Sequence, residues 1–155
     1  MLGAAQLRAA VGYMELGMLE DAWAELDGIP EPILESEAGV HLRLLLLLRE
    51  ERWDKGLAMA VRLCALTPGM PTGFIHGAYC LHEMGRTEEA QQTLLEGPDS
   101  LRQEPIFFYN LACYKAALGE EADAEAFLRK SILMDDRLHQ VALKDPDLKA
   151  LWERI

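Results

Sequence analysis

Basic residues are scarce in this chain: 15 Lys and Arg stand against 26 Asp and Glu, a formal net charge of −11. That balance argues against nucleic acid, whose phosphates need clustered cations, and against attachment to an anionic membrane surface. Long apolar runs are missing as well. Leu44 to Leu48 is a short one, held between Arg43 and Arg49, far below the roughly 18 residues of a spanning helix. Met1 to Ala10 carries one basic residue and no sustained apolar stretch, so a secretory leader is not expected and a cytoplasmic setting is.

Reactive groups are equally sparse. Cys64, Cys80 and Cys113 are odd in number, lack C-x-x-C spacing and fall within apolar helical patterns, which predicts buried, reduced thiols. Ser36, Ser100 and Ser131 sit in no nucleophile elbow. There is no phosphate-binding glycine motif, and His82-Glu83 lacks the second histidine of a zinc-protease pair. Acidic pairs such as Glu88-Glu89 and Asp135-Asp136 fall at helix ends, where capping and solvation explain them. The expectation is a protein with no catalytic residues, no metal and no cofactor.

What the sequence does contain is a period. Gly17, Glu51, Gly85 and Gly119 occupy one column of a 34-residue frame. The same step aligns Ala10, Leu44, Ala78 and Ala112, and again Ala22, Gly56, Ala90 and Ala124. Each copy reads as two helices. Arg8 to Leu16, Leu42 to Arg49, Phe74 to Met84 and Phe108 to Leu118 have the apolar density of first helices. A Gly or charged turn follows, and acidic residues suited to a helix N-terminus open the second helices. The small-residue columns mark crossings where only Gly or Ala lets two backbones approach, with Leu26, Leu94 and Leu128 filling the space one turn on. Pro30 with Pro32, and Pro98, shorten the second helices of copies one and three. Leu44, Glu51, Gly97 and Ser131 depart from the columns they occupy.

This pattern resembles the tetratricopeptide repeat, whose signature runs W-x2-L-G-x2-Y, then A-x3-F, then P. It is carried here by Phe108-x2-Leu111-Ala112 with Ala124-x3-Leu128, by Ala9-Ala10-x2-Tyr13 with Ala22-x3-Leu26, and by Trp53 to Leu57 closing on Pro68. The stretch Tyr109 to Tyr114 followed by Ala117-Leu118-Gly119 is similar to the final repeat of many bacterial members. The resemblance implies an all-α solenoid of four hairpins in a right-handed superhelix, over residues 3–36, 37–70, 71–104 and 105–138, with a cap at 139–155, all in one domain. In the cap, Asp136 to Leu143 predicts a short helix. Asp145-Pro146-Asp147 then starts a last helix over Leu148 to Arg154, whose Leu148, Leu151 and Trp152 cover the fourth repeat.

The resemblance also implies where binding occurs, because first helices line the family's concave groove. Repeat one would contribute Leu7, Arg8, Val11 and Glu15, and repeat two His41, Leu42, Leu45 and Arg49. Repeat three would add Ile75, His76, Tyr79 and His82, and repeat four Tyr109, Asn110 and Cys113. The surface is apolar and aromatic, suited to a hydrophobic segment of a partner protein, with Leu45, Tyr79 and Tyr109 as anchors and Arg8, His76 and Asn110 fixing polar groups. Only Arg8 and Asn110 match the cationic and amide pattern that members use to clamp a carboxylate, so that mode is not expected. The reading is a protein-binding scaffold. Its alternatives are a chaperone for secreted substrates, like those of type III secretion, and a homodimer that uses part of the Leu44 to Leu48 surface.

Overall fold

The computed structural model describes residues 2–155, and they form helices with no strand among them. Four hairpins follow one another: α1 (Leu2–Glu15) with α2 (Leu19–Asp27), α4 (Glu37–Arg49) with α5 (Trp53–Leu66), α6 (Thr72–Glu83) with α7 (Thr87–Leu95), and α8 (Pro105–Ala117) with α9 (Glu121–Met134). A one-turn helix, α3 (Glu31–Leu34), lies between the first two hairpins, and α10 (Arg137–Ala142) follows the fourth.

The turn column has a backbone reason. Gly17, Gly85 and Gly119 have φ of 76°, 78° and 82°, and Glu51 is the single described non-glycine residue with positive φ, at 57°. All four end their helices by the same pair of hydrogen bonds. In the first, Gly17 N–H donates to Met14 O and Met18 N–H to Tyr13 O, at 3.0 and 2.9 Å. Glu51 and Arg52 donate in the same way to Leu48 O and Leu47 O, at 3.0 and 2.9 Å. This is the Schellman termination, which needs a left-handed residue just past the helix.

The crossing columns are buried to completion. Ala10, Ala22, Ala78, Ala90, Ala112 and Ala124 have no exposed surface. Leu44 breaks the column, and repeat two compensates four residues after Gly56, where Ala60 takes the place that Leu26, Leu94 and Leu128 hold in the other copies. Leu44 and Ala60 lie in one buried cluster with Val40 and Leu63. Gly97 is compensated too: Leu101, from a 3-10 turn over Asp99–Gln103, packs its Cδ1 where a side chain at Gly97 would stand. Ser131 is buried and donates its hydroxyl to Leu128 O at 2.7 Å.

Two expectations are corrected. Leu44, Leu46 and Leu47 are buried, so of the Leu44 to Leu48 run only the half-buried Leu45 and Leu48 reach the surface. The last helix is a 3-10 segment, Pro146–Arg154, whose Leu148 and Leu151 are fully buried against α8 and α9. Pro30 with Pro32, and Pro98, do mark shortened second helices: α2 and α7 have nine residues each, against fourteen in α5 and α9. α3 and the Asp99–Gln103 turn occupy the chain so released.

Candidate functional site

The first helices lie side by side, and contacts between them define one face. Arg49 donates to Met14 O at 2.8 Å, tying α4 to α1. His41 of α4 and His76 of α6 approach to 6.2 Å between ring centroids. Tyr79 and Trp53, the first residue of α5, pack edge to face with ring centroids 5.6 Å apart. At the far end the Asp145-Pro146-Asp147 turn closes onto the same face. Tyr109 OH donates to Asp145 Oδ2 at 2.7 Å, the Cys113 thiol reaches the same oxygen at 3.6 Å, and His82 Nε2 lies 2.9 Å from Asp147 Oδ2.

That turn divides the residues expected to line a groove. Tyr109, Asn110 and Cys113 are buried, so repeat four presents no open wall. The expectation of Tyr109 as an anchor fails because the chain's own cap occupies its hydroxyl. His82 is mostly covered, its other ring nitrogen 2.9 Å from Thr87 Oγ1. What stays accessible belongs to repeats one to three. Arg8, Glu15 and Arg49 are exposed; Leu7, His41, Leu45, Ile75 and His76 are half-buried, and Leu42 is buried. Val11 and Tyr79 are the apolar residues that stand out, 37% and 40% exposed.

The electrostatics of the face are set by burial and by acid. Burial first, and then the charge of His41, lowers His76 to about 4, so its imidazole is neutral near pH 7. Burial raises the Tyr79 phenol, with Glu83, Asp145 and Asp147 adding to the effect. The Cys113 thiol is raised by burial and then by Asp145 and Asp147, and Cys80 is pushed up to about 11, mainly by burial. These thiols are protonated and unreactive. Cys113, Asp145 and Asp147 offer donor atoms within 4.8 Å of one another. Hydrogen bonds consume that set: Asp145 accepts from Tyr109, from Cys113 and from the Asp147 backbone N–H.

Sequence reasoning missed Trp53 and the two aspartates as parts of this face. Trp53 was legible as an outlier in its column, where the other copies carry Leu19, Thr87 and Glu121. The aspartates read only as a helix cap, because their reach to α6 and α8 is a tertiary fact.

Comparison with known proteins decides the architecture. No protein-family model and no curated protein sequence matches the chain. Solved structures do. The chain is similar to Pseudomonas aeruginosa PilF at TM-score 0.78 and 22% identity, over 99% of this chain and 69% of that one. This is a tetratricopeptide-type fold. A MamA RS-1 double mutant matches at TM-score 0.71 and 12% identity, over 86% and 75% of the two chains. PcrH, solved in complex with the chaperone binding region of PopB, matches at 0.57 and 23%, over 82% and 94%. Within the tetratricopeptide fold, the first-helix face described above is the surface that the hairpins build together. No helix among the described residues is long and apolar enough to cross a membrane.

Proposed function

We propose that this chain is a protein-binding scaffold that takes a segment of a partner on the first-helix face of repeats one to three, and that it binds without catalysing. The observation that carries the reading is Tyr79: a large aromatic residue left 40% exposed while its ring is fixed against Trp53. Rigid aromatic anchors of that kind contribute disproportionately to protein interfaces. Val11, Leu45 and Ile75 extend the apolar surface on neighbouring helices, and His41 and the neutral His76 would supply hydrogen bonds. A PcrH-like fold holding peptide regions of PopB and PopD supports the use of such a fold for capturing a chain segment.

A photo-crosslinking residue at position 79 tests this. It should trap a discrete partner in native lysate, whereas the same residue at Leu133, on α9, should not. Tyr79→Ala should weaken capture of that partner about thirtyfold, equivalent to about 2 kcal/mol, with helicity unchanged. Equal trapping from both positions, or unchanged capture by the variant, would remove this face from consideration. Tyr109→Ala is unsuitable because it breaks the partly buried hydrogen bond to Asp145 that holds the cap.

The likeness to PcrH also favours a chaperone reading, in which the partner is a secreted protein held before export. Self-association is favoured by a different observation, the exposed apolar side chains of Leu133, 88% exposed, and Val141, 50% exposed. Sedimentation across a concentration series separates it, since a strict monomer excludes it.

A further inference from the structure

A second concavity lies away from the first-helix face. Arg43 and Leu47 follow His41 and Leu45 by two positions each, about 200° round α4. They open onto a cavity of about 350 Å³ between α2, α4 and α5. That volume lies within the range that small ligands fill. Trp23, in the middle of α2, faces Lys55, Ala58 and Met59 in the first half of α5 across the gap.

Its lining is amphipathic. Trp23 forms one wall, with Leu47 and Met59 as the apolar floor, and exposed Ala58 with Arg43, Arg52 and Lys55 completes the lining. Two of these side chains are held in place. Trp23 Nε1 donates to Glu50 Oε1 at 2.6 Å, and Arg43 donates to Leu34 O and to Glu35 Oε1, both at 2.9 Å. The cations outnumber the acids that pair with them. Glu35 is shared by Arg43 and Arg62, Glu50 lies 3.8 Å from Arg52, and Lys55 has no ion pair among the described residues. A local excess of positive charge over an apolar floor is unexpected in a chain of net charge −11.

We propose that this cavity binds an amphipathic anion: an apolar group of about phenylalanine size ending in a carboxylate. The apolar part would lie between Trp23 and Met59, and the carboxylate would meet Lys55 and Arg52. Burying the apolar group displaces water from Trp23 and Met59, and the flat guanidinium of Arg52 suits a planar anion. The same chemistry is offered by a peptide terminus ending in an apolar residue and by a small free acid.

Nuclear magnetic resonance separates these cases, because the Trp23 indole N–H is a reporter inside the cavity, identified by its loss in Trp23→Phe. N-acetylphenylalanine should shift that resonance saturably, with a Kd of about 1 mM or tighter, and its amide should bind about tenfold more weakly. The resonances of Trp53 and Trp152 should stay in place. Lys55→Glu with Arg52→Glu should abolish the shift, and so should Ala58→Trp, which fills the cavity from an exposed position without altering charge. A short peptide ending in Phe, free and amidated, completes the series. Tighter binding of the free peptide than of the acetylated amino acid assigns the site to chain termini; the reverse assigns it to free acids. Absence of a saturable Trp23 shift with every acid, or equal binding of acid and amide, overturns the proposal.

Discussion

Among single residues, Glu51 departs furthest from what its backbone prefers. Its φ of 57° is the left-handed geometry that its three counterparts meet with glycine, and an L side chain there is disfavoured by about 1 kcal/mol. Glu51→Gly should therefore raise stability by about 0.5–1 kcal/mol, and Gly85→Ala should lower it by about 1 kcal/mol, both read from urea unfolding midpoints. Relief at one position and strain at the other share a cause, so opposite signs are the test. His76 gives a second prediction. Its folded-state value of about 4 lies below the ordinary 6.5, so the unfolded chain takes up the proton more readily. Stability from this group is complete above pH 6.5 and is lost as pH falls toward 4, by about 3 kcal/mol at most. His76→Gln should flatten that part of the profile relative to the parent protein. The turn column was fully legible in the sequence, because a left-handed residue leaves its mark at one position. The His41–His76 approach was not, since it joins two helices whose relative placement no local pattern encodes.

For the helices, the sharpest contrast is between two helical glycines. Gly73 stands in α6 where a β-carbon would lie 2.8 Å from Cys64 Sγ, 2.9 Å from Cys64 N and 3.0 Å from Ala60 O. Two of those neighbours are backbone, so α5 and α6 would have to separate. Gly12, in α1, has nothing within 4 Å of that position. Gly73→Ala should cost about 2 kcal/mol through overpacking, while Gly12→Ala should add about 0.5–1 kcal/mol through helix propensity. A uniform response at both sites would contradict the close crossing. Elements with many residues and a clear apolar period were legible, including the shortened α2 and α7. The four-residue α3 and the Asp99–Gln103 turn were not, because one turn carries no period to read. The exchange of Leu44 for Ala60 shows a further limit: a departure in one column is understood only once the partner column is known to face it.

Across the molecule, the buried residues do not form one continuous core. One cluster unites α6 to the cap, through residues such as Ala78, Leu94, Tyr114, Leu128 and Leu151. Another joins repeat one to Leu42 and Leu46, and a small third holds Val40, Leu44, Ala60 and Leu63. In a solenoid, stability is the sum of units and the interfaces between neighbours, so weakly joined units open separately. The cavity between α2 and α5 marks such a weak junction. Native-state hydrogen exchange should show α1 and α2 opening at lower free energy than α8 and α9, which the cap covers. Leu151→Ala then distinguishes the units. Leu151 is wholly buried at the far end, so its truncation should cost about 3 kcal/mol. That cost should appear as faster exchange in α8 and α9, with α1 and α2 unchanged. If protection falls equally along the whole chain, the molecule unfolds as one cooperative body, and the division of its core has no energetic counterpart.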